Sequence, residues 1–162
     1  MDKIDAVVFA QHAPLYIGIP YSRLDCQAYV EQILKDLDVK NPATGKAYNW
    51  RGSNDMWRNA VHQRQQIKTD QLPPVGAWLF TIKRDGGEIQ RGYHDDMGNA
   101  AHVGVHIGNG LVVHSTTGGV QYDKVTSKRW THYALANVID YGPMTITPTG
   151  CICGCECCKG GD

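Results

Sequence analysis

The chain has 162 residues, and 16 Lys plus Arg are balanced by 16 Asp plus Glu, so its formal net charge is zero. That length suits one compact domain rather than a multidomain assembly, and the charge balance offers no basic excess to drive binding to a nucleic-acid backbone. Hydrophobic residues make up 42% and charged residues 20%, a globular composition in which no apolar run approaches a membrane span. The opening segment Met1 to Ala10 lacks the basic start and long apolar stretch of a signal peptide, so the expectation is a product that is cytoplasmic on synthesis.

Ala6, Val7, Phe9, Ala10 and Leu15 predict a short helix within 5–18, broken at Gly18-Ile-Pro20. Cys26, Tyr29, Val30, Ile33, Leu34 and Leu37 recur at steps of three and four, which predicts a helix near 24–38 with one buried face. Ser22 or Asp25 would cap it, and under either choice Cys26 falls in the first turn. After the turn at Asn41 to Gly45, residues 53–66 carry a polar helical pattern with Met56, Trp57, Ala60 and Val61 as its apolar members. From Val75 the pattern changes to short β-branched and aromatic runs: strands are expected over 76–83, 102–107, 111–116 and 134–139. Helices first and strands afterwards argue for an α+β fold, with N-terminal helices packed on an antiparallel sheet. The Gly-, Asp- and His-rich stretch 84–101 is too long for a tight hairpin, and makes a candidate functional loop.

The hairpin at Gly108-Asn-Gly110 poses a question of parity. A two-residue turn, for which Asn109-Gly110 is the usual signal, would pair Gly108 with Leu111 and place Leu111 and Val113 on the face of His102 and His106. A three-residue loop with a bulge at Gly110 instead pairs Ile107 with Leu111, gathering Val103, Val105, Ile107, Leu111 and Val113 on one face. The other face then carries His102, Gly104, His106, Val112 and His114, with His102 diagonal to His114. The second register gives one clean apolar face and is the one expected.

A thiol is a nucleophile only as thiolate, and a helix N-terminus or a neighbouring imidazolium favours that form. Cys26 at a helix start, with His102 to move its proton and His114 to orient His102, would make a Cys-His-polar triad for acyl transfer. The alternative is a buried cysteine acting as a small hydrophobe.

The same residues resemble the NlpC/P60 cysteine peptidases, papain-like hydrolases of bacterial cell-wall peptides, over most of residues 5–122. Gly18-Ile-Pro-Tyr21 and Leu24-Asp-Cys-Gln-Ala-Tyr-Val30 resemble the family's Gly-x-Pro-Tyr and Asp-Cys-Ser-Gly-Phe-Val stretches. Pro74-Val-Gly-Ala-Trp-Leu-Phe80, His102-Val-Gly-Val-His-Ile-Gly108 and Leu111-Val-Val-His-Ser115 resemble its strands. The resemblance implies a papain-like fold, Cys26 as nucleophile, His102 as general base and His114 as third triad member. It also implies cleavage of peptidoglycan stem peptides between D-γ-glutamate and a diamino acid, with no cofactor required. Gln27, Ala28, Ala77 and His106 depart from the family pattern without touching the triad.

Asp25, Tyr21, Gln27, Arg51 and Trp57 are the candidate substrate-binding residues. Asp25 would hold a substrate amine or serve as helix cap, and Tyr21 would position the nucleophile or pack beside it. The cluster Trp50, Arg51, Asn54, Trp57 and Arg58 would line a groove for peptide carboxylates, or form an amphipathic helix. His102, His106 and His114 have ligand chemistry, but neither of their strands carries a supporting carboxylate. His94, Asp95 and Asp96 read as a solvated polar loop.

Residues 1–142 are expected to form the peptidase domain and 143–162 a separate tail. Cys151, Cys153, Cys155, Cys157 and Cys158 suit soft thiolate coordination of zinc or copper(I), pairing between chains, or tethering to a larger assembly such as a phage tail. The competing functions are a non-catalytic wall-peptide-binding module and a metal-binding protein. A virion-associated or wall-released enzyme, phage-encoded or cellular, would fit the absent leader.

Overall fold

The computed structural model describes residues 3–83, 93 and 95–143. The tail cysteines, His94 and most of the 84–101 loop lie outside the described residues.

A two-residue strand β1 (Ile4–Asp5) leads into α1 (Ala6–His12) and a 3-10 turn (Ala13–Tyr16). Asp5 caps α1 by accepting from the Val7 and Val8 N–H groups. The predicted single helix thus divides before Pro14, whose missing N–H suits the first turn of the 3-10 segment. Helix α2 (Cys26–Asp36) buries Cys26, Tyr29, Val30, Ile33 and Leu34, the face its periodicity predicts. A small hairpin follows, β2 (Lys40–Asn41) with β3 (Lys46–Ala47), and then α3 (Ser53–Asn59).

Helix α3 stops seven residues earlier than the pattern over 53–66 suggests: Val61–Gln66 is a strand, β4, antiparallel to β9 (His132–Ala136). Only Val61 of that strand is buried. Its polar sequence marks a sheet edge, and backbone pairing with β9 outweighs a weak helical pattern there. The main sheet is completed by β5 (Trp78–Lys83), β6 (Asn99–Gly108), β7 (Leu111–Thr116) and β8 (Gly119–Lys124), and β10 (Ile139–Asp140) pairs parallel with β1. The six-stranded order is β4-β9-β5-β6-β7-β8, antiparallel throughout. The fold is therefore α+β as expected, with strand β8 an addition that the sequence reading did not contain.

The larger core lies between the helices and one sheet face and includes Phe9, Tyr29, Ile33, Met56, Trp57, Trp78, Phe80, Val103, Val105 and Val113. A smaller cluster of Leu79, Val112, Val125, Trp130, Tyr133 and Leu135 covers the opposite face. The β6–β7 turn contains two residues, Asn109 and Gly110, both at positive φ, rather than the expected three. An extra residue at Ile107 compensates, because pairing passes from Gly108↔Leu111 directly to His106↔Val112. Beyond that bulge the expected register and the expected division of faces both hold. No helix among the described residues is long and apolar enough to cross a membrane.

Candidate active site

Cys26 is the first residue of α2, placed there by Asp25, whose side chain accepts from the Ala28 N–H at 2.8 Å and whose carbonyl accepts from Tyr29. Two further ties hold this helix start against the sheet. Gly18 N–H donates to Val120 and Val120 N–H to Ile19, so the loop before Cys26 is laced to β8. The fully buried Ser115, next to His114, donates through its hydroxyl to the Leu24 carbonyl.

The sheet opens at this point. The β6–β7 pairing reaches only to Val105↔Val113. His106 N–H donates to Ala77 on the β5 side, so alternation turns the Val103 N–H toward β7, where the ladder has ended. That N–H, with those of Cys26 and Gln27, faces the Cys26 sulfur. The nucleophile candidate thus enters the gap between the two strands that carry His102 and His114, adjacent to His102 in the β6 backbone.

His102 Nε2 lies 2.8 Å from His114 Nδ1, so the diagonal pair expected from the register is a direct hydrogen bond. Trp130 covers both rings, stacked on His102 with centroids 5.5 Å apart and edge-on to His114 at 5.1 Å. His114 is 1% exposed. Burial pulls its pKa down to about 4, with Arg129 adding to the fall and Asp123 opposing it, and burial together with the neighbouring His114 pulls His102 to about 3. Both imidazoles are neutral at physiological pH.

Cys26 departs from the expectation of an acidified thiol. Burial pushes its pKa up, the Asp25 charge adds to the rise, and the three N–H groups only partly offset it. The shifts of all three groups favour a neutral thiol and neutral imidazoles over a preformed thiolate-imidazolium pair.

The remaining candidates divide between the helix start and the core. Tyr21 is exposed near the helix start, and its phenol pKa is raised by partial burial first and by Cys26 and Asp25 after it. Gln27 is turned away to brace the following loop, donating to Glu31 and to the Trp50 carbonyl. Arg51 is exposed at the N-terminal side of α3, its N–H bonded to Asp55. Trp57 is 2% exposed and packs on Phe80 and His132, and it also lines a cavity with Arg64, Ile82 and His132.

Within the cluster at 50–58, Asn54 and Arg58 clamp β6. Arg58 bonds Asp95 through two nitrogens, Asn54 and the Gly98 carbonyl, while Asn54 accepts from the Ala100 N–H and donates to Asn99. Ser53 donates to the Ala100 carbonyl at 2.5 Å. The bulge at Ala101 follows immediately, where pairing with β5 shifts between Ala100 and His102. Helix α3 thereby fixes the backbone from which His102 projects.

His106 shares the sheet face of His102 but serves the turn: Nδ1 lies 3.2 Å from the Pro74 carbonyl, and Nε2 accepts from Gly110 N–H at 3.2 Å. Among the described residues no group of three or more His, Cys, Asp and Glu is arranged to hold a metal ion. A carboxylate does stand behind the histidines, contrary to the reading of β6 and β7 alone, because Asp123 arrives on the unforeseen strand β8.

A helix that opens with a cysteine, packed against an antiparallel sheet bearing two bonded histidines, defines the papain-like α+β class. Residues 11–138 match the model of the NlpC/P60 family, and the chain belongs to that family. It is 29% identical over 100 residues to the probable endopeptidase p60 of Listeria seeligeri, a match covering 55% of this chain and 18% of that relative. Among solved structures it is similar to an NlpC/P60 family protein from Bacillus cereus, at TM-score 0.54 and 19% identity, covering 87% of this chain and 41% of that one. It is also similar to RipD of Mycobacterium tuberculosis, described as a non-catalytic NlpC/P60 domain protein adapted to peptidoglycan binding, at TM-score 0.50 and 15% identity, covering 82% and 96% of the two chains. The chain spans less than a fifth of the curated relative's length.

Proposed function

We propose that the chain is a cysteine hydrolase of peptidoglycan stem peptides, cleaving between D-γ-glutamate and a diamino acid. The observation that carries this reading is the Cys26 thiol facing the Val103 N–H, one residue along β6 from His102, whose ring is hydrogen-bonded to His114. As Cys26 Sγ attacks the scissile carbonyl carbon, its proton passes to His102 and the carbonyl becomes a tetrahedral oxyanion. The N–H groups at the start of α2 stabilise that oxyanion. Collapse breaks the C–N bond, His102 returns the proton to the departing amine, and a thioester remains. Water then attacks the thioester, giving its proton to His102, and the carboxylate product leaves as the thiol is restored. The neutral resting pair makes proton transfer part of the attack rather than a step before it.

Asp25, exposed at the helix start, and the nearby Tyr21 are the proposed contacts for the substrate's amino end. The proposed peptidase domain spans residues 1–142 and uses no metal in its site; the tail cysteines remain candidates for zinc or for tethering. A second reading, a non-catalytic wall-peptide binder, is favoured by one observation: Cys26 is 8% exposed, with its thiol held protonated by burial.

Digestion of purified peptidoglycan by the wild type and by Cys26→Ala, with fragments read by mass spectrometry, tests both. Fragments ending in D-γ-glutamate from the wild type alone support the hydrolase. Wall binding by both proteins without cleavage by either supports the binder.

A further inference from the structure

We propose that Asp123 is a positioning residue for this site: it determines which nitrogen of His114 carries the proton and, through it, which nitrogen of His102 acts as base. The proposal rests on the hydrolase reading for its catalytic consequence, but its structural content can be tested without activity.

The argument follows donors and acceptors around one ring. An arginine side chain only donates. Arg129 Nη1 lies 3.4 Å from His114 Nδ1, so Nδ1 is an acceptor and the single proton of the neutral ring sits on Nε2. His102 Nε2, 2.8 Å from the same Nδ1, must then be the donor. The remaining nitrogen of His102, Nδ1, is left bare and able to take the thiol proton. The reverse tautomer of His114 would aim an N–H at a guanidinium and leave His102 protonated on the wrong nitrogen.

Asp123 supplies the opposite charge on the opposite side of the His114 ring. It pairs with Val112 in the β7–β8 ladder, two residues from His114 along β7, and its Oδ2 lies 3.9 Å from His114 Nε2. The same oxygen accepts from the Trp130 indole N–H at 3.1 Å and faces Arg129 Nε at 3.9 Å. A cation at Nδ1 and an anion at Nε2 favour the same tautomer of a ring removed from water. Through its bond to Trp130, Asp123 also holds the indole that lies over His102. One carboxylate thus fixes both the proton and the cover of the pair. It acts through His114 and Trp130 and touches no reacting atom.

A merely structural Asp123 would be replaced without loss by Asn, which keeps an oxygen for the indole and removes only the charge. The test is long-range proton-nitrogen NMR of the protein labelled at histidine nitrogen, alongside steady-state kinetics on a stem peptide. In the wild type, His114 and His102 are both expected as the tautomer with the proton on Nε2. In Asp123→Asn, the His114 signal is expected to move to a mixture with Nδ1–H, and kcat to fall about 10- to 100-fold with KM within about twofold. Asp123→Glu keeps the charge and is expected to keep the wild-type tautomer and most of kcat; it also serves if the Asn variant fails to fold. A wild-type His114 protonated on Nδ1 overturns the proposal, as does an Asp123→Asn protein with unchanged tautomers and unchanged kcat. If the wild type shows the expected tautomer, Asp123→Asn shifts it and neither cleaves peptide, the hydrolase reading fails while the assignment of Asp123 stands.

Discussion

Gly104 lies on β6 beneath the indole of Trp130. A Cβ built there would fall 2.7 Å from Trp130 Cη2, 3.0 Å from Val112 Cγ1 and 3.1 Å from His114 Cβ. The first distance is shorter than any carbon-carbon contact a folded protein tolerates, and the indole cannot swing freely, because its N–H is bonded to Asp123 and its face lies against His102. Gly104→Ala therefore forces either Trp130 off the histidine pair or β6 away from β7, and overpacking of this kind costs about 1–3 kcal/mol. For a chain of this size each kcal/mol lowers Tm by about 2–4 °C. Trp130→Phe removes the outer ring that carries Cη2, so Gly104→Ala in that background should cost at least about 1 kcal/mol less. The two lesser contacts, with Val112 and His114, keep the rescue partial. Urea denaturation of the four proteins in a double-mutant cycle measures the coupling. An equal cost of Gly104→Ala in both backgrounds would refute the packing argument.

Other expectations follow from the same geometry. His102, His106 and His114 are all held below their ordinary pKa by burial, so the unfolded chain binds more protons than the folded one as pH falls through about 6.5. Their contribution is fully present above that pH and is lost toward about 4 for His114 and about 3 for His102; urea midpoints should decline from pH 7.5 to pH 5, and a midpoint that rises with acid would contradict the burial. Cys26 alkylation by iodoacetamide should accelerate with pH beyond the range of a free thiol, since burial raises its pKa; a rate already at plateau by neutral pH would indicate a resting thiolate. Asn54→Ala strands the Ala100 N–H and one donor of Arg58, with an expected cost of about 1–3 kcal/mol and a larger proportional loss of kcat than of substrate binding. Ser115→Ala removes the buried donor to Leu24 at a cost of about 1 kcal/mol, and should lower kcat because the nucleophile's loop loses a tether to β7; unchanged kinetics would show the tether to be dispensable.

The helix that begins at Cys26 and the division of β6 and β7 into an apolar and a histidine-bearing face were legible because burial imposes a period on consecutive residues. Val103, Val105 and Val113 state their face, and Tyr29, Val30, Ile33 and Leu34 state theirs. The turn was less legible: Asn109-Gly110 is itself the usual two-residue signal, and the apolar pattern argues against it only because the bulge at Ile107, which reconciles it with one apolar face, leaves no mark in the sequence. Strand β8 was missed because its buried residues, Gly119 and Val120, are consecutive while Tyr122 remains half exposed, so it shows no alternation. With it went Asp123. The clamp by Asn54 and Arg58 was invisible for a different reason, since its partners at 95–100 lie some 40 residues away in sequence, and a polar helix face looks the same whether it meets water or backbone.

The bond between Ser115 and Leu24 spans 91 residues, and the lacing of Gly18 and Ile19 to Val120 spans more. Contacts of such separation form late, after shorter loops have closed. The seat of Cys26 is thus built from the segment before α2 together with β7 and β8, and a nascent chain has helix α2 long before it has these strands to hold it. If Cys26 is the nucleophile proposed above, its chemistry would await the synthesis and docking of β8, so cleavage would report completion of the fold, and chains ending before residue 119 would carry an intact cysteine without the strand that seats it.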